Sequence, residues 1–173
     1  AGESYGFSLA AIREKIADTI DGSEDYFCID SKPIEVCRPA RAKRCSMGKN
    51  EIEKTPSFGY CASQGVYYYG YKLHAVCGLS GVIFETAHIR LEVPYRSNQK
   101  DWKPTFAYFA KARKRIETLF SQLCDQFMIE RNYAKDIEGL FTRIISKISA
   151  LTILQYINCK NQRLIGRIKY VLI

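Results

Sequence analysis

The chain has 173 residues, enough for one ordinary domain with a buried core, and its 47% hydrophobic, 13% aromatic and 25% charged composition excludes disorder along most of its length. Twenty-six Lys and Arg against eighteen Asp and Glu leave a formal charge of +8, which favours a polyanionic partner, with nucleic acid the first candidate and a merely soluble basic protein the alternative. Seven cysteines (Cys28, Cys37, Cys45, Cys61, Cys77, Cys124 and Cys159) form an odd set without a C-x-x-C pair, which supports neither a zinc ribbon nor a disulfide framework and reads as reduced cytosolic thiols; no run reaches membrane-span length, and no targeting signal is visible.

Ser8 followed by Leu9, Ile12, Ile16 and Ile20 gives an N-cap and an apolar stripe at helical spacing, with Gly22 placed to end the helix. Tyr26 to Asp30 is a short apolar run closed by Ser31-Lys32-Pro33, predicting a buried strand with Asp30 at its tip. Between residues 36 and 50, Arg38, Arg41, Lys43, Arg44 and Lys49 occur with no acid among them, and Pro39 and Gly48 argue for an irregular basic loop. From Val66 to Gly78, Tyr67, Tyr69, Tyr71, Leu73, Ala75 and Cys77 alternate with residues that include Lys72 and His74, the period of a long half-buried strand, and Gly78-Leu79-Ser80-Gly81 turns the chain.

Ile89, Leu91, Val93 and Tyr95 alternate with His88, Arg90 and Glu92 and predict a further strand. Beyond Pro104 the period changes to three and four through Phe106, Phe109, Ala110, Arg113, Ile116, Phe120, Leu123 and Phe127, a long amphipathic helix starting near the proline. A last helix carries Ile137, Leu140, Phe141, Ile144, Ile145, Ile148, Leu151, Leu154 and Ile157 on a face broad enough to be buried against the sheet. The order of elements indicates α+β or mixed α/β architecture, with a sheet small for its helices.

Two acids stand out. A carboxylate closing an apolar strand is costly unless water, a cation or a metal meets it, so Asp30 reads either as a metal ligand or as a turn-initiating Asp and partner of Lys32. Glu117 lies mid-helix with Arg113 and Lys114 within one turn, the pattern of a solvated ion pair.

Together with their surroundings the two acids resemble a known family. Tyr26-Phe27-Cys28-Ile29-Asp30-Ser31-Lys32-Pro33-Ile34 resembles the first catalytic strand of bacterial insertion-sequence DDE transposases, whose catalytic domain is RNase H-like. Tyr69-Gly70-Tyr71-Lys72-Leu73-His74 resembles their G-Y-K-L-H strand, Val93-Pro94-Tyr95-Arg96 the segment before the third acid, and Arg113 to Leu123 the helix that carries it. The resemblance implies a truncated RNase H-like α/β domain over residues 23–130, preceded by a helix left from an N-terminal region (1–22) and followed by a helical C-terminal segment (131–173).

Asp30 and Glu117 then correspond to the first and third catalytic acids and ligands of Mg²⁺ or Mn²⁺. In such a family two divalent cations held about 4 Å apart need several converging carboxylates. The second acid, in an Asp-x-Gly-Tyr-like motif, has no counterpart: Gly78-Leu79-Ser80-Gly81-Val82-Ile83 runs straight into Phe84-Glu85-Thr86-Ala87-His88. An internal deletion joining near Ile83 and Phe84 is expected, with an incomplete two-ion site and no catalysis; Glu85, Glu92 and Asp101 each have an ordinary structural role instead. Relatives extend upstream of the first helix, so an N-terminal truncation is expected as well. The implied partner is transposon-end DNA in the bacterial cytoplasm and nucleoid, with no membrane and a homodimer as one arrangement. Arg38, Arg41, Lys43, Arg44 and Lys49, with Lys72, Arg113, Lys114 and Arg115, are the candidate DNA contacts, since phosphate binding needs only charge and reach. A solvated basic surface is the competing reading of the loop, and sheet packing that of the tyrosines.

Overall fold

The structure, a computed structural model, describes all residues except 1, 22–24, 51, 85–94, 96, 97, 106, 172 and 173, with the backbone alone at 2–7, 52 and 170. Among the described residues a small antiparallel sheet of four strands is flanked by three long helices, a mixed α/β architecture compatible with a truncated RNase H-like domain. The predicted strand and loop at Glu85, His88–Pro94 and Arg96, and the helix stop at Gly22, lie outside the described residues.

The first helix, α1, runs Gly2–Asp21, so Ser8 stands inside it and not at its cap. Its most buried residues are Arg13 and Ala17, while Ile12, assigned to the apolar stripe, is exposed. Ile12 precedes Arg13 by one residue, a rotation of about 100° that takes it off the packed face.

Strand β1 spans Phe27–Cys37, continuing seven residues past Asp30, which is therefore mid-strand and not at a tip. Pro33 does not stop it because, among the described residues, β1 pairs on one side only, with the long strand that follows, and an edge strand tolerates a residue without an N–H. The basic segment is ordered: a 3-10 helix covers Pro39–Arg44, with Pro39 in its first turn, where its fixed φ and missing N–H cost nothing.

Strand β2 (Ser57–Cys61) was not foreseen; it is five residues long and broken by Gly59, too short for its alternation to register. It forms a hairpin with β3 (Val66–Gly78), whose bounds match the predicted strand and whose Tyr69, Ala75 and Cys77 are buried while Lys72 and His74 are exposed. The hairpin turn has Gly65 at φ +66°. β1 and β2 flank β3, and the two-residue strand β4 (Ile83–Phe84) pairs with Val76 and Cys77 after the Gly78–Val82 turn, where Gly81 takes φ +87°.

Helix α2 runs Phe109–Asp125, starting five residues beyond Pro104, and its buried stripe is Ala112, Ile116, Leu119, Phe120 and Leu123; Ala110 and Arg113 lie off it. Helix α3 (Ile137–Lys160) opens on Asp136, whose Oδ1 accepts the Gly139 N–H at 2.7 Å. Removing that cap by Asp136→Ala is expected to cost about 1 kcal/mol of unfolding free energy, read from chemical denaturation, with Asp136→Ser retaining most of it.

Ile137, Leu140, Ile144 and Leu151 of α3 share one core with Ile34, Ala75 and Cys77 of the sheet and with Ile116, Leu119 and Leu123 of α2. α3 also packs along α1, and in its C-terminal half Ser149, Thr152, Gln155 and Asn158 are buried. Gln155 donates to the Gly81 carbonyl at 2.8 Å, and Arg13 of α1 donates to the Ile83 carbonyl at 3.0 Å, so both helices grip the turn that leads into β4.

Candidate functional site

Alternation along β1 sets which residues face α2. Cys28, Asp30, Lys32 and Ile34 lie opposite Cys77, Ala75, Leu73 and Tyr71, and directly paired residues project to the same side of an antiparallel sheet. α2 packs on β1 from that side, since Lys32 is hydrogen-bonded to the Cys124 thiol of α2. Glu117 stands seven residues before Cys124, two helical turns or about 10 Å, and Cys28 four residues before Lys32, about 13 Å of strand. The helix therefore runs along the strand and carries Glu117 to the Cys28–Asp30 end.

The electrostatics of Cys28 agree. Burial pushes its thiol above the ordinary cysteine value; the Asp30 and Glu117 carboxylates push it the same way, and the Arg113 guanidinium opposes them. Two carboxylates 87 positions apart in sequence thus act on one sulfur.

Both acids are open to solvent. Asp30 is exposed and its Oδ1 accepts the Ser31 N–H at 2.7 Å. Glu117 lies one residue past the buried Ile116, its side chain 57% exposed, and its Oε1 accepts from Arg113 Nε at 3.0 Å. The ion pair predicted for a helical Glu is therefore formed, and at this exposure it contributes little to stability. Lys32 does not pair with Asp30: its ammonium meets Glu130 Oε1 at 2.7 Å. Burial works against its charge, but Glu130 and Cys124 outweigh burial and hold it above the ordinary lysine range.

Among the described residues, no group of three His, Cys, Asp or Glu side chains converges as a metal site. Asp101 is exposed in a turn, and Glu85 and Glu92 lie outside the described residues. Asp30 and Glu117 are fewer carboxylates than a pair of divalent cations requires, so the described residues do not fit a complete two-ion centre.

The cationic candidates separate into three places. Arg38, Arg41, Lys43, Arg44 and Lys49 are all exposed around the 3-10 helix, and Lys49 Nζ donates to the Lys43 carbonyl at 3.2 Å, tying off the helix end. Arg113 and Lys114 are exposed on α2, whereas Arg115 is half-buried and its guanidinium lies against Gly166. Lys72 and His74 are exposed on the face of β3 opposite to Ala75, hence opposite to Asp30, and do not join the two acids.

Residues 83–153 match the protein family described as transposase DDE domain. Over that stretch the chain is similar to the DDE transposases. The matched stretch opens on β4, takes in α2 with Glu117, and closes within α3; Asp30 and β3 precede it. No curated protein and no solved structure matches the chain. Among the described residues no helix is long and apolar enough to cross a membrane.

Sequence reasoning missed Cys28 as a thiol that responds to Asp30 and Glu117, and Cys124 as a neighbour of Lys32. Their positions two residues before Asp30 and seven after Glu117 place them on the same strand face and helix face as those acids, a signal visible only once the strand is known to continue past Asp30.

Proposed function

We propose that this chain is an insertion-sequence DDE transposase that retains the first and third catalytic acids, Asp30 and Glu117, has lost the second, and binds DNA without cutting it. The observation that supports this reading is the packing of α2, which carries Glu117, against β1, which carries Asp30; both carboxylates raise the Cys28 thiol. The missing acid is a feature of sequence: the Gly78–Val82 turn passes directly into β4, where the family match begins, with no Asp-x-Gly-Tyr-like motif between.

Relatives of this kind use a divalent cation, Mg²⁺ or Mn²⁺, to polarise a phosphodiester oxygen and ionise a water. In this chain Asp30 and Glu117 are the residues that would hold such an ion. Arg113 keeps the Glu117 carboxylate in place and neutralises part of the negative charge that would otherwise repel a phosphate. DNA contact falls to Arg38, Arg41, Lys43 and Arg44 on the 3-10 helix, joined by Lys49, Arg113 and Lys114, while Lys72 serves only DNA that reaches the other sheet face. The setting is the bacterial cytoplasm and its nucleoid, and a homodimer would place two such surfaces on paired transposon ends.

The test is nicking of supercoiled plasmid by the purified chain in Mg²⁺ or Mn²⁺, beside Asp30→Ala and Glu117→Ala. The expected result is DNA retention that weakens steeply with salt and no nicking by any of the three proteins. Nicking by the parent chain that disappears in both variants would overturn the loss of catalysis and show that a further ligand completes the site.

A further inference from the structure

The β2–β3 hairpin extends past the end of β1, which last pairs at Cys37 with Tyr69. Beyond that point Gly59, Tyr60 and Cys61 pair only with Tyr68, Tyr67 and Val66. Two cross-strand aromatic pairs run along it: Phe58 with Tyr69, ring centroids 4.9 Å apart, and Tyr60 with Tyr67, 4.8 Å apart with planes tilted by 47°. Tyr69 is buried, but Phe58, Tyr60 and Tyr67 are 65%, 55% and 73% exposed. Three large rings on one open strand face exceed what cross-strand pairing needs, and the tilt keeps Tyr60 and Tyr67 from covering each other's faces.

The position of this face gives it a partner. Tyr67 and Tyr69 share it with Tyr71 and Leu73, and Cys45 and Met47, which follow the basic 3-10 helix, pack into the core with Tyr71 and Leu73. The 3-10 helix itself packs on β3, the strand that carries Tyr67 and Tyr69, and presents the exposed Arg38, Arg41, Lys43 and Arg44 with no acid between residues 36 and 50. Cations that track a phosphate backbone beside rings open to stacking are the two parts of a surface for unpaired nucleic acid. A purely apolar protein partner would gain nothing from the charges.

We infer that Tyr60 and Tyr67, with Phe58 behind them, form a stacking surface for the unpaired bases of single-stranded DNA, whose backbone is held by the Arg38–Arg44 turn. Ala75, opposite Asp30, is eight residues along β3 from Tyr67, about 26 Å, so the strand bound here is distinct from the strand at the acids. The inference rests on the proposed reading that the chain binds DNA, and it adds the single-stranded form and the residues that select it.

The experiment is fluorescence anisotropy of a labelled thymidine oligomer and of a labelled duplex, titrated with the full chain at two salt concentrations. Tyr60→Ala and Tyr67→Ala are each expected to weaken oligomer binding about tenfold. Tyr→Phe at either position should keep it, Tyr→Leu should lose it, and circular dichroism should be unchanged because both side chains are largely exposed. Full binding by the Leu variants, or by the Ala variants, overturns base stacking while duplex binding still upholds the DNA reading. Failure of both probes with the parent chain overturns the two together. A dimer abolished by these substitutions, with oligomer binding intact, identifies the face as a self-association site and overturns the inference as well.

Discussion

Gly70→Ala should lower the free energy of unfolding by about 3 kcal/mol, the upper part of the range for forcing atoms into a packed site. A Cβ at residue 70 would stand 2.1 Å from the Ile34 carbonyl oxygen and 3.0 Å from the Val36 amide nitrogen, both backbone atoms of the neighbouring strand. The crowding arises where the register between β1 and β3 shifts between Glu35 and Cys37 and the two backbones close on each other. A side chain could rotate away; a paired strand has to separate. Gly59→Ala is the control, because its Cβ would meet the ring of Tyr68, and the far end of an exposed-edge ring has room to swing. Urea denaturation of the two variants should separate them clearly, with Gly59→Ala the milder. Equal stability of Gly70→Ala and the parent chain would mean that the strands do not close there. Gly70 opens the Gly-Tyr-Lys-Leu-His segment, and its role is backbone approach rather than catalysis.

Replacing Arg38, Arg41, Lys43 and Arg44 together by Gln should reduce duplex binding by about 10³-fold at moderate salt and lower the slope of log affinity against log salt by about 3.6, on the proposed reading of the basic turn as the phosphate-binding element. The four side chains are exposed, and only Ala42 of the 3-10 helix is buried, so the fold should survive their neutralisation. Anisotropy titrations over a salt series give both quantities. A slope that does not move would assign the electrostatic contact to other residues, Arg113 and Lys114 of α2 first. The comparison with Tyr60→Ala and Tyr67→Ala is informative because stacking should change affinity with the salt slope nearly constant, whereas removed phosphate contacts change both.

Several elements were legible because their signal is local. β3 was readable from end to end: thirteen residues of alternation leave no other period, and its buried and exposed sides follow that alternation from Tyr69 inward. α3 was readable because its apolar positions recur along a helix of 24 residues. The ion pair at Glu117 followed from i,i+4 spacing alone. β1 was cut short because Ser-Lys-Pro usually ends a strand; only its edge position in the sheet makes Pro33 acceptable. α2 was drawn too long at its start because apolar spacing continues outside the hydrogen-bonded helix.

What the sequence determined by itself was the DDE resemblance and the mixed α/β class, since motif identity and periodicity are properties of the chain. What only the tertiary structure decided was which side of the sheet each side chain takes. The packing of α2 against β1 brings the helix of Glu117 onto the strand of Asp30, and strand register sends Lys72 and His74 to the opposite face. The 3-10 helix with its exposed cations packs on β3, the strand that pairs Tyr67 with Tyr60. Those relations depend on contacts between residues tens of positions apart, fixed by burial of a shared core that no local pattern encodes.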